Sequence, residues 1–160
     1  MVSGAAGGVG TLAVQLAANA GATVIGLSSE PHHAWLRDHG AIPVAYGNDV
    51  AQRIRAAAEG RVDAMIDTHG SGYVDLAIEL GIAPERIDTI VDQGAAARHG
   101  AKTDGSAAGA SADVLAELAQ LIADRKLEIP IAHAYPLEQV RDAYRELEQR
   151  HTLGKIVLHA

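Results

Sequence analysis

Apolar residues recur along this chain in two rhythms, and the rhythms alternate. From Thr11 to Ala20 they return at helical spacing, and the run stops at Gly21, a residue suited to the left-handed turn that ends a helix. Ala22 to Leu27 is instead a short β-branched stretch, the pattern of a strand covered on both faces. Ser28, Ser29 and Pro31 then offer hydroxyl caps and a first-turn proline for a helix through Trp35 and Leu36, which stops at Gly40. The unit repeats with Ile42–Tyr46 as strand, 49–59 as helix and 62–67 as strand. A helix over 73–80 and a strand over 86–91 follow, with Ile87 and Val91 as core members. Strands alternating with helices of this length predict an α/β fold, a doubly wound parallel sheet with helices on both faces.

The rhythm fades between Asp92 and Ala110, where Gly, Ala, Ser, Lys102 and Thr103 predict a long loop with at most a helical turn near Ala95–Arg98. Order returns at Ser111, a predicted N-cap for a helix through Leu115, Leu118, Leu121 and Ile122. A strand at 129–132, a helix from Leu137 to Arg150 with Val140, Tyr144 and Leu147 on one face, and a strand at 155–158 complete the pattern. Pro43 and Pro130 fall in the third and sixth strands. These are the outer strands of the order 3-2-1-4-5-6, where a missing N–H is tolerated.

Composition narrows the chemistry. At 160 residues the chain is sized for one core, and with 3% aromatics and no Phe that core is built from Val, Ile, Leu and Ala. A formal charge of −7 with 13 scattered basic residues argues against a nucleic-acid partner. No apolar run approaches the roughly 18 residues a membrane span needs, and the start reaches glycine before any signal-like segment, so a cytoplasmic setting is expected. Without Cys there is no disulfide, thiol nucleophile or thiolate metal site. Only Met1-Val2-Ser3 precede the first glycine loop, so most of the first strand is expected to be missing or supplied from elsewhere.

That loop carries the clearest chemistry. Ala5-Ala6-Gly7-Gly8-Val9-Gly10 sits between a strand stub and a helix, as a variant of the G-x-G-x-x-G fingerprint of a Rossmann-type dinucleotide fold. Gly7 lets backbone approach a pyrophosphate, the N–H groups of Gly8 and Val9 can donate to its oxygens, and Gly10 lets the helix pack closely. At the end of the second strand stand Ser28 and Ser29 rather than a carboxylate. This favours NADPH, whose 2′-phosphate a carboxylate would repel, over NADH, and disfavours S-adenosylmethionine, which usually meets an acid there. Helix capping remains an alternative role for both serines.

The loop Ser3–Gly10, the helix segment Leu12–Ala17, the run Val62–Thr68 and the ending Gly154–Leu158 together resemble the medium-chain dehydrogenase/reductase superfamily, nearest its zinc-independent, quinone oxidoreductase-like branch. The resemblance spans the whole chain. It implies residues 1–160 as a dinucleotide-binding domain of an oxidoreductase that passes hydride to a quinone or α,β-unsaturated carbonyl, with the family's N-terminal catalytic domain absent and little turnover from this chain alone. Carried over by position, Gly7, Gly8 and Val9 meet the pyrophosphate and Ser29 with His33 lies near the adenosine phosphate, with Ala6, Gly10 and Ser28 as further cofactor-binding candidates. Thr68 and His69 line the cofactor cleft, and Val91 and Asp92 lie toward the nicotinamide. A homodimer through the sixth strand is compatible, though Pro130 limits its ladder. A non-catalytic nucleotide-binding or sensing module is the alternative.

Other residues invite readings the pattern does not support. Eight histidines show neither the i, i+4 pairing of a zinc protease nor a Cys partner, so no metal site is expected. Tyr46 and Tyr144 occupy packing positions, Asp67 is placed to cap the loop after its strand, and the mixed-sign helix 138–150 suits a solvated face. Lys102 and Thr103 are the loop residues closest to the expected nicotinamide.

Overall fold

The computed structural model describes residues 1–105 and 109–160. Among the described residues, seven strands (β1 Val2–Ser3, β2 Val24–Ser28, β3 Ala41–Ala45, β4 Met65–Asp67, β5 Ile87–Thr89, β6 Ile131–Pro136, β7 Lys155–His159) alternate with seven helices. The helices are α1 Gly10–Asn19, α2 His33–Asp38, α3 Val50–Ala57, α4 Tyr73–Glu79, α5 Gln93–His99, α6 Ala112–Ala123 and α7 Val140–Glu148. β1 to β5 form one parallel sheet in the order β3-β2-β1-β4-β5. Short as it is, β1 sits at the centre, with Val2 opposite both Gly26 and Ile66 and Ser3 opposite Asp67.

Both sheet faces are covered, as the unbroken apolar runs require. One side packs Leu27, Val44, Ile54, Met65, Val74 and Ile87; the other packs Val2, Val14, Val24 and Leu36. Every residue of β2 is buried. Pro43 lies in β3, an edge strand, as expected.

Five expectations need correction. The strand after β5 is not Ile129–Ala132: Lys102 occupies the place beside β5, bridging Asp88, donating its N–H to Ile87 O (2.9 Å) and accepting from Thr89 N (3.1 Å). Pro130 precedes β6, which pairs only with β7 in a separate two-stranded sheet, so it does not govern the main sheet's edge. The helical turn expected near Ala95 is a full helix, α5, because the Asp92 carboxylate accepts from Ala95 N (2.9 Å) and caps it. Val91 is 49% exposed, since β5 ends two residues earlier and releases it into a loop.

The fifth concerns the tail. Ser111 does cap α6, accepting from Val114 N at 3.1 Å. Yet no residue of α6 is buried, and on α7 it is Ala143 that is buried while Tyr144 and Leu147 are exposed. A two-stranded sheet lacks the surface to bury two amphipathic helices.

Candidate functional site

Parallel α/β sheets place ligands beyond the carboxyl ends of their strands, where the order reverses. Here β1 is that point, with β2 to one side and β4 to the other. A cleft of about 380 Å³ opens there, lined by residues that include Ala6, Gly7, Gly8, Ser28, Ser29, Thr68, His69 and Val91.

The glycine loop folds tightly at its rim. Gly7 N donates to Gly4 O (2.9 Å), and both Thr11 N and Thr11 Oγ1 donate to Gly7 O (3.0 Å each). A β-carbon at Gly10 would stand 2.0 Å from Gly4 O, so only glycine lets the head of α1 close on β1. Among the described residues, the N–H groups of Gly8 and Val9 have no hydrogen-bond acceptor in the chain. They stand at the positive end of α1, whose first turn carries no acidic residue.

The β4 side is held by one buried carboxylate. Asp67 accepts from Ser3 Oγ (2.5 Å), His69 N (3.1 Å) and Gly70 N (3.0 Å) on one oxygen and from Thr89 Oγ1 (2.7 Å) on the other. Burial pushes its carboxyl upward, but these four bonds outweigh that and hold it below its ordinary value. Thr89 Oγ1 in turn accepts from Val91 N and Asp92 N (3.2 and 3.0 Å), so Asp67 ties together the carboxyl ends of β1, β4 and β5. The expected capping role of Asp67 thus extends across three strands.

The remaining wall comes from the chain's end, which the sequence reading did not place at the site. Residues 126–128 are anchored on α1: Gln15 exchanges two bonds with the Glu128 backbone (2.8 and 2.9 Å), and Asn19 donates to Lys126 O (2.7 Å). After α7 the chain returns over the glycine loop, where Gly154 N donates to Ala6 O (2.8 Å) and Gly154 bridges Gly7. A β-carbon at Gly154 would lie 2.1 Å from Pro130 O, and its φ of +76° is one that side chains disfavour. This strap brings Arg150 and Thr152 into the cleft, alongside His32 and the two serines. It also sets the Lys155 ammonium 3.3 Å from where a β-carbon on Gly8 would sit. His32 Nε2 lies 3.0 Å from His151 O, joining strap to body.

The candidate positions are therefore not all equivalent. Ala6, Gly7, Gly8, Ser28, Ser29, Thr68, His69 and Val91 meet in the cleft. Val9 is exposed at the helix head, and Gly10 is a packing residue. His33 reaches back to Ser28 O (3.3 Å), with its neighbour His32 lining the cleft, and Asp92 caps α5. Neither serine caps the following helical turn; Ser28 Oγ donates to Ser29 O (3.1 Å), and Ser29 makes no capping bond. Lys102 belongs to the sheet, outside the cleft. Tyr46 lines the cleft as well as packing, stacked on His69 with ring centres 5.1 Å apart. Arg150 lies more than a hundred residues from Ser29, and no local pattern joins them.

Residues 39–158 match the zinc-binding dehydrogenase family. The chain belongs to that family. The domain is similar to a quinone oxidoreductase from Coxiella burnetii over 99% of its own length and 51% of that chain, at 27% identity and a TM-score of 0.81. It shares its fold with a mycobacterial protein solved in complex with NADPH (24% identity, 99% of this chain, 55% of that one, TM-score 0.80). The same holds for an NAD-dependent alcohol dehydrogenase (24%, 99% and 50%, TM-score 0.80). This zinc-binding dehydrogenase domain is thus a cofactor-binding-type domain of the medium-chain dehydrogenase/reductase superfamily, and it spans about half the length of the solved relatives it matches. Zinc itself does not fit its residues: the chain has no Cys, and among the described residues no three His, Asp or Glu side chains gather as a ligand set. Among them, too, no helix is long and apolar enough to cross a membrane.

Proposed function

We propose that this domain binds a nicotinamide dinucleotide, with NADPH preferred over NADH, and forms the cofactor half of a reductase acting on a quinone or α,β-unsaturated carbonyl. One observation carries the reading: the free N–H of Gly8 opens onto the same cleft as two serines, His32 and Arg150, and the free N–H of Val9 stands beside it at the head of α1. The two N–H groups suit a pyrophosphate, and the serines, His32 and Arg150 suit a 2′-phosphate. Ser29 is free to donate because it caps nothing.

The bound cofactor supplies the hydride. This chain's part is to hold the dinucleotide extended across the carboxyl ends of β2, β1 and β4, with Gly8 and Val9 on the bridging phosphates, Lys155 adding positive charge above them, and Ser28, Ser29, His32 and Arg150 on the ribose phosphate. Val91, released from the core, offers an apolar surface at the β5 end, where a nicotinamide face needs shelter from water. Residues 1–160 act as the dinucleotide-binding domain, and substrate selection belongs to a partner domain.

Parallel calorimetric titrations of the purified chain with NADPH, NADH and S-adenosylmethionine test this reading. Micromolar binding of NADPH, weaker binding of NADH and none of S-adenosylmethionine is the expected result. Binding of neither dinucleotide would overturn it.

A further inference from the structure

Tyr46 stands at the end of β3, two strands from the glycine loop, yet its hydroxyl reaches across to it. Gly4 N donates to Tyr46 Oη (3.2 Å), and Tyr46 Oη donates to Leu27 O (2.9 Å). Gly4 O meanwhile accepts from Gly7 N and lies against Gly10, so the residue that opens the loop is held through both its N–H and its carbonyl. The Tyr46 ring stacks on His69 at an angle of 24°, and His69 stands edge-on to Tyr73. One side chain therefore links the β1–α1 loop, the end of β2 and the β4–α4 loop, the three segments that frame the cleft. Burial raises the phenol to about 12, with Tyr73 adding to the effect, so the hydroxyl stays protonated and able to donate.

We infer that Tyr46 is a positioning residue: its hydroxyl sets the entry of the glycine loop and thereby the direction of the Gly8 and Val9 N–H groups, without itself reading the 2′-phosphate. This rests on the dinucleotide reading above. It also separates two uses of one phenol. A hydroxyl turned to the ribose phosphate would discriminate NADPH from NADH, whereas a hydroxyl bound to Gly4 and Leu27 serves both cofactors alike.

Tyr46→Phe keeps the ring stack and leaves the Gly4 N–H without an acceptor, while Leu27 O retains its bond from Ala5 N. The expected result is weaker binding of NADPH and NADH by the same factor, roughly tenfold, with exchange of the Gly4 amide hydrogen at least about tenfold faster in the cofactor-free protein. A general loss of stability would speed exchange throughout the sheet, so amides of β2 and β4 serve as the internal reference. Tyr73→Phe, which leaves the Gly4 bond intact, is expected to change neither affinity nor Gly4 exchange.

Selective loss of NADPH in Tyr46→Phe, or unchanged Gly4 exchange, would overturn the inference. If the wild-type chain binds neither dinucleotide, the cofactor reading falls, while Gly4 exchange still decides whether the hydroxyl holds the loop. If Tyr46→Phe does not fold, exchange of Gly4 in the wild-type chain decides: protection supports the bond, and exchange at the rate of a free glycine refutes it.

Discussion

The five-stranded body and the tail beyond Ser111 are written with the same apolar grammar, and they bury it to opposite degrees. In the body, Leu27 and Ile87 of the strands and Leu36 and Ile54 of the helices are wholly buried, because helices pack on both faces of the sheet. In the tail, Leu115 is 70% exposed, Tyr144 61% and Leu147 52%, because β6 and β7 make a ribbon too narrow to cover two helices. Periodicity states that a face is apolar; the extent of neighbouring surface decides whether that face is buried. The tail earns its place through its ends instead, anchored on α1 at residues 126–128 and crossing the glycine loop at Gly154.

The contrast can be broken by mutation. Leu27→Ala removes a buried side chain from β2 and is expected to lower stability by about 2–5 kcal/mol in urea unfolding, whereas Leu115→Ala on α6 is expected to change it by no more than about 0.5 kcal/mol. Comparable losses would mean that the tail helices are packed as tightly as the body. Asp67 probes the body's polar hub. Asp67→Asn presents an amide N–H to donors that need an acceptor, and a loss of about 1–3 kcal/mol is expected. It carries a pH signature as well. Because the folded carboxyl titrates below its ordinary value, its contribution is complete above about pH 4 and lost as pH falls through the folded value. Unfolding midpoints measured between about pH 3 and 7 are therefore expected to fall with acid in the wild type and to fall less in Asp67→Asn. Parallel curves would place the acid sensitivity elsewhere.

The body was legible in the sequence because its signals are local. Gly21, Gly40 and Gly81 end helices, β-branched runs mark the strands, and the glycine loop announces the turn into α1. The site was legible only along those same segments, which is why eight candidate positions meet in the cleft. What escaped prediction depends on distant pairing. Lys102 enters the sheet through two backbone bonds to β5 that no side chain signals, and this moved the 129–132 segment out of the sheet. Arg150, Thr152 and Lys155 reach the cleft through a strap whose course is fixed by the Gly154–Ala6 bond and the contact with Pro130. Ser28 and Ser29 were compatible with capping, with a ligand role or with both, and the structure shows that neither caps the following turn.

In the proposed cofactor site the tail completes the body's cleft by delivering a cation, Arg150, to the ribose phosphate end. The most direct test is the ratio of NADPH to NADH affinity in the wild-type chain and in Arg150→Ala, measured side by side by calorimetry. NADPH binding is expected to weaken by at least about tenfold, equivalent to about 1.4 kcal/mol, while NADH binding stays within about twofold. An unchanged ratio would contradict it and confine cofactor recognition to the body alone.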